Sequence, residues 1–260
     1  KQAPAYPPSV PKPTLTGVPY GEHERHVLDF WKAPSDASTP LVFAIHGNAW
    51  VNGSKMVVSR LVDIEALLKA GVSVVSINYR LIRNIKDVVP PVKAPLHDAA
   101  RALQFVRSKA DEWNIAKERI GAVGNSAGAC SSLWLLYHDD MANANSDDPV
   151  ARQSTRLWCA SVFNPQTSLD PKQMKEWIPN ITYGGHAFKS GRPATGEENF
   201  AQFLADRENI LPWIKEYSPY AHVSADDPPA ALFFRKPPGI GEVDGDATHS
   251  AHFGLGLQER

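Results

Sequence analysis

The stretch IGAVGNSAGACSSLWLLYH, residues 120–138, decides how the rest of the chain is read. Its first four residues form a short strand, its last ten are an apolar-rich run of helical length, and GNSAG (124–128) is all that joins them. A backbone passing from strand to helix so abruptly tolerates only small neighbours, hence Gly124 and Gly128 on either side of Ser126. Such a turn lifts the Ser126 hydroxyl over the carboxyl end of the sheet. It also sets that hydroxyl beside the first N–H groups of a helix, where developing negative charge is favoured. A glycine-flanked serine in an ordinary β-to-α turn is the bland alternative, and the strand and helix context favours an exposed nucleophile over it.

Working outward, LVFAI (41–45), VSVVSI (72–77), LWCASVF (157–163) and ALFF (231–234) are short apolar runs of the kind buried in a sheet. Between them, residues 56–70 and 99–113 carry apolar side chains at helical spacing, the first closed by Gly71 and the second capped by Asp98. This alternation predicts an α/β fold with a mostly parallel sheet and helices on both faces. There is no internal repeat. The proline-rich residues 1–21 are expected to form an extended arm, with an edge strand in 22–31 and the α/β domain running over 22–260. Between about 166 and 229 the alternation lapses. This segment is expected to be a lid-like insertion with a helical part near 197–215, and its Trp177, Tyr183, Trp213 and Tyr217 suit either a substrate pocket or packed core.

HGNAW (46–50) follows the strand LVFAI, where a second set of backbone donors must lie if Ser126 is a nucleophile. With that pair in place, the chain resembles the α/β-hydrolase superfamily, in its esterase and lipase branch related to hormone-sensitive lipase, arylformamidases and carbohydrate or feruloyl esterases. The matching residues are HGNAW at the place of an HGGGW loop, SINYRL (76–81), LHDAARALQFVR (96–107) and GNSAG. YGEHERHVLDFWKA (20–33) is also similar to secreted planctomycete-type esterases. The resemblance implies Ser126 as nucleophile, the amides of Asn48, Ala49 and Ala127 as oxyanion donors, His46 as a scaffold residue and Trp50 packed beneath the loop. Asn48 and Ala49 depart from the family's glycines. Either the loop takes ordinary backbone angles or its donors are imperfectly aimed, because alanine adopts positive φ poorly.

The resemblance also implies an acid beyond ALFF and a histidine after one further strand. Asp246 best resembles the acid, with Asp244 next and Glu242 also available, and solvated loop carboxylates are the plain alternative for all three. Only His249 and His252 follow Asp246. A helix, strand and histidine loop in the family's order would need roughly 30 further residues. The sequence is therefore expected to lack the last strand and to leave a sheet edge exposed. A histidine so near its acid would need an unusual geometry to reach Ser126.

Composition narrows the alternatives. The 260 residues are 43% apolar, enough for a large core, and 27 Lys and Arg against 28 Asp and Glu exclude a strongly basic or acidic partner surface. Nucleic acid and membrane are not expected as partners, and no apolar run approaches the ~20 residues that span a bilayer. Cys130 and Cys159 lack metal or redox spacing. The opening at Lys1 fits a trimmed, exported chain. The expected activity is hydrolysis of a small carboxylic ester through an acyl-enzyme, without metal or cofactor. The alternatives are an arylformamidase or peptidase, or an inactive scaffold or binding protein that lacks its base.

Overall fold

Strands β3 (Thr39–Ile45), β4 (Ser73–Ile77) and β5 (Ile115–Asn125) form the centre of the sheet, because their runs of Val, Ile, Phe and Ala can be covered on both faces. Around them the order is β1-β2-β4-β3-β5-β6-β7, with β1 (Leu15–Pro19), β2 (Val27–Trp31), β6 (Cys159–Phe163) and β7 (Ala230–Phe233). The structure, a computed structural model, describes residues 6–189, 196–238 and 243–260. From β4 to β7 neighbouring strands are parallel, whereas β2 joins β4 and β1 joins β2 antiparallel.

The helices are α1 (Ile64–Lys69), α2 (Lys93–Ser108), α3 (Ala110–Trp113), α4 (Ala127–Tyr137), α5 (Pro171–Trp177), α6 (Glu197–Ala205), α7 (Arg207–Tyr217), α8 (Pro219–His222) and α9 (His252–Gln258). On one face α2 and α4 bury Leu96, Leu103, Leu133 and Trp134 against Phe43, Ile45 and Val75. On the other, Val58 and Ile64 cover Ala44, Val74 and Val123. Each large apolar side chain so enclosed contributes roughly 1.5–3 kcal/mol. Strand β3 has β4 on one side and β5 on the other, so the chain order reverses there. The crevice at such a reversal is where open α/β sheets place ligands.

Four sequence expectations change. The proline-rich arm is not wholly free, because Leu15–Pro19 pairs with β2. The prolines flank that strand or end it, leaving Leu15 to Val18 with donors. Residues 6–14 are also held at two points: Tyr6 donates to Asp29 Oδ2 at 2.6 Å, and Trp31 Nε1 to Pro11 O at 2.8 Å. The edge strand expected in 22–31 is β2, which has partners on both sides. Asp98 does not cap a helix. Helix α2 begins at Lys93, with Pro95 in its first turn where no N–H partner is lost, and Asp98 instead receives Arg80 N at 2.8 Å and Arg80 Nη2 at 2.7 Å. The helix expected over 56–70 is a short 3-10 turn (Lys55–Arg60) followed by α1.

The described residues of the 166–229 segment hold α5 to α8, and α7 packs onto α4: Trp134 Nε1 donates to Glu216 O at 2.8 Å. Tyr217 is buried, Tyr183 and Trp213 are partly buried against the core, and Trp177 meets Phe253 edge-on. Strand β7 ends the sheet, and among the described residues no strand pairs with its outer edge.

Candidate active site

The two motifs meet at the carboxyl ends of β3 and β5, which run side by side with Ile45 opposite Gly124. Close approach explains the glycines. A Cβ on Gly128 would strike the Ile45 carbonyl, one on Gly124 the Gly128 carbonyl, and one on Gly47 the Asn125 carbonyl. Between them Ser126 stands at φ 53, ψ −122, outside the usual regions for a side-chain-bearing residue. It is held there because its N–H donates to Phe163 O at 2.9 Å on β6 while its own carbonyl receives Cys130 N at 2.9 Å as α4 begins. The side chain is 8% exposed. Among the described residues the Ala127 N–H, first in α4, donates to no protein group.

The HGNAW loop resolves the expectation about its angles against ordinary geometry. Asn48, Ala49 and Trp50 all have positive φ, at 66, 53 and 57. Three successive left-handed residues make a tight turn, and its carbonyls are all engaged. Tyr79 Oη donates to His46 O at 2.7 Å and Gly47 O at 3.0 Å, Val51 N to Asn48 O at 3.0 Å, and Ile82 N to Trp50 O at 3.0 Å. His186 hydrogen-bonds the Ala49 backbone, and Trp50 lies buried beneath, its Nε1 on Ser131 Oγ at 2.9 Å. Among the described residues the N–H groups of Asn48 and Ala49 donate to nothing. A loop with every carbonyl tied and adjacent N–H groups free is equipped to receive negative charge.

His46 is structural in this arrangement. Its ring stacks on Tyr79 at 4.0 Å, and burial, with the Arg25 charge added, pushes its pKa down to about 3 although Nδ1 lies 3.2 Å from Gly47 O. Asn125, for which the sequence suggests no special role, accepts from Asn164 Nδ2 at 3.0 Å and so links the ends of β5 and β6.

The histidine comes from a place that the strand order argues against. A 3-10 turn, Ala247–His249, follows Asp246, and in 3-10 geometry side chains three apart eclipse one another. His249 Nδ1 therefore sits 2.9 Å from Asp246 Oδ2, and Nε2 sits 3.0 Å from Ser126 Oγ. The turn is fastened to the ends of the sheet by Gln166 Nε2, which donates to Thr248 O, and by Thr167 Oγ1, which donates to Phe253 O at 2.7 Å. Asp244 lies 3.7 Å from His252 Nδ1, away from Ser126, and Glu242 lies outside the described residues. Flanked in this way, His249 can take the serine proton at Nε2 while Asp246 fixes the Nδ1–H tautomer. Among the described residues no group of three His, Cys, Asp or Glu is placed to hold a metal.

The sheet order and the serine turn define an α/β-hydrolase fold, and the sequence matches that follow put the chain in its esterase and lipase branch. Within that class the chain belongs to the BD-FAE family, whose sequence model matches residues 28–236. Over 128 residues it is 31% identical to the probable carboxylic ester hydrolase LipM of Mycobacterium tuberculosis, covering 47% of this chain and 28% of that one. Over 133 residues it is 29% identical to the probable isoprenylcysteine alpha-carbonyl methylesterase ICMEL2 of Arabidopsis thaliana, covering 50% of this chain and 29% of that one. The chain spans less than a third of the length of these curated relatives. Among solved structures, a truncated carbohydrate esterase from gut microbiota superposes with TM-score 0.69 at 20% identity, over 98% of this chain and 85% of that one. The esterase Est2 of Thermogutta terrifontis gives TM-score 0.61 at 20% identity, over 97% and 78%.

Proposed function

We propose that the chain is a serine carboxylesterase with Ser126, His249 and Asp246 as its triad. The observation that carries this reading is the unbroken relay from Ser126 Oγ through the His249 ring to Asp246, 3.0 and 2.9 Å long. Ser126 attacks the ester carbonyl carbon as its proton passes to His249 Nε2. The carbonyl oxygen, now negative, is received by the N–H groups of Asn48, Ala49 and Ala127. His249 then gives the proton to the departing alcohol, leaving an acyl-serine. A water attacks that intermediate with His249 again as base, which releases the acid and restores the hydroxyl. The similarity to a probable ester hydrolase and a probable methylesterase supports the same chemistry.

A fluorophosphonate probe tests the nucleophile: it should label the protein and not Ser126→Ala. Hydrolysis of para-nitrophenyl esters should fall by about three orders of magnitude or more in His249→Ala and survive in His252→Ala. Equal labelling of both proteins, or full activity in His249→Ala, would overturn the assignment. Labelling without ester turnover, but with amide turnover, would favour the formamidase or peptidase alternative. No labelling at all would leave a binding protein built on a hydrolase frame.

A further inference from the structure

A cavity of about 390 Å³ opens next to the serine turn, over the carboxyl ends of β3, β5 and β6, and its lining mixes apolar side chains, Val57, Leu61 and Phe163, with polar groups and two arginines. Gly47 and Asn48 of the loop, Asn125 of the serine turn, and Arg60 and Arg235 are all among its lining residues. Its floor is built rather than accidental. Asn164, 7% exposed and at φ 48, donates from Nδ2 to Asn125 Oδ1 and accepts the Arg235 N–H on Oδ1 at 3.3 Å. That bond fixes the backbone from which the Arg235 side chain springs. Arg60 closes the 3-10 turn Lys55–Arg60, whose Lys55 N is bound to Asn78 Oδ1 at 2.7 Å.

Among the described residues neither Arg60 nor Arg235 is in an ion pair, and no carboxylate lines the cavity. Of the other arginines, Arg80, Arg101, Arg156 and Arg207 are ion-paired with Asp98, Asp148, Asp226 and Asp170, and Arg25, Arg107, Arg119 and Arg152 donate to backbone carbonyls. In a chain of net charge −1, two unpaired guanidiniums on one small cavity form a local excess of positive charge. A planar guanidinium matches a carboxylate through two parallel hydrogen bonds, which water and neutral hydroxyl groups match less well.

We propose that this cavity receives a carboxylate carried by the ester substrate, with Arg60 and Arg235 as its specificity-determining residues. The proposal rests on the esterase reading above and adds the substrate class to it: esters in which the acyl or the alcohol part bears a carboxylate near the scissile bond. Both arginines are exposed, so each contributes modestly, about fivefold in relative kcat/KM, and salt weakens the effect.

Two substrate pairs test it, one for each side of the ester. Mono-para-nitrophenyl glutarate and para-nitrophenyl valerate differ only in a carboxylate for a methyl on the acyl chain. O-acetyl glucuronate and O-acetyl glucose differ by the carboxylate on the alcohol. In at least one pair the anionic ester should have the higher kcat/KM. That ratio should drop about fivefold in Arg60→Gln and in Arg235→Gln, further in the double variant, and with added salt. Ratios at or below one in both pairs, or a ratio that neither substitution moves, would overturn the subsite while leaving the esterase reading intact. If no neutral or anionic ester is turned over and Ser126 is not labelled, the esterase reading itself fails and the subsite falls with it.

Discussion

Asp246 and Asp244 are two residues apart, and the geometry separates their roles sharply. Asp246→Asn should lower kcat at least about a hundredfold, because the amide presents the wrong tautomeric partner to His249 Nδ1. Asp244→Asn should leave the rate near that of the unaltered protein, a contrast that steady-state kinetics on one nitrophenyl ester would reveal. Ala49 makes a second prediction at this scale. Its φ of 53 costs an alanine about 1–2 kcal/mol, against roughly 0.5–1 kcal/mol of extra chain entropy that a glycine loses on folding. Ala49→Gly should therefore raise the melting temperature slightly, and a lower value would mean that the alanine methyl contributes packing outweighing its strain. Ser126 and its flanking glycines were readable from spacing alone because their constraint is local. The placement of His249 beside Ser126 is not legible in the sequence, because it depends on a 3-10 turn that eclipses it with Asp246 and on Gln166 and Thr167, more than eighty residues earlier, fastening that segment to the sheet.

At the scale of elements, the HGNAW loop depends on its neighbours for its shape. His186, from the 3-10 turn Gly185–Phe188, reaches the Ala49 backbone, and its ring lies near Trp50. His186→Leu should lower kcat more than it raises KM, since it loosens donors needed most when the carbonyl oxygen is negative. A loss confined to KM would show that His186 supports only substrate binding. The sequence signals for β3, β4, β6, β7 and α4 are strong because each is an apolar run of the right length, and β5 shows only through its IGAV half. Strand β1 was hidden among prolines. The start of α2 was masked by Pro95, which is tolerated in a first turn, while Asp98 looked like a cap until Arg80 supplied its true partner. No local pattern in the sequence announces a partner eighteen residues away.

For the whole molecule, buried histidines govern the response to acid. Burial holds His46 at about 3 and His186 at about 4, and it also lowers His97 and His222. In the unfolded chain these rings titrate near 6.5, so as pH falls below that value the unfolded state takes up protons that the folded state refuses. Stability should therefore decline from about pH 6.5 toward about pH 4, and melting curves across that interval should shift steadily downward. A melting temperature constant over that range would show that the rings accept protons without unfolding. The serine turn carries a different consequence at the same scale. Because the Ser126 N–H is bonded to Phe163 O, the proposed nucleophile is also stitched to the sheet at the carboxyl ends of β5 and β6. Its amide hydrogen should exchange with deuterated water only when those strands part, placing the reactive residue among the slowest-exchanging positions of the chain. Reactivity and rigidity then share one backbone bond. Loosening the sheet there would disarm the hydroxyl before the rest of the molecule unfolds.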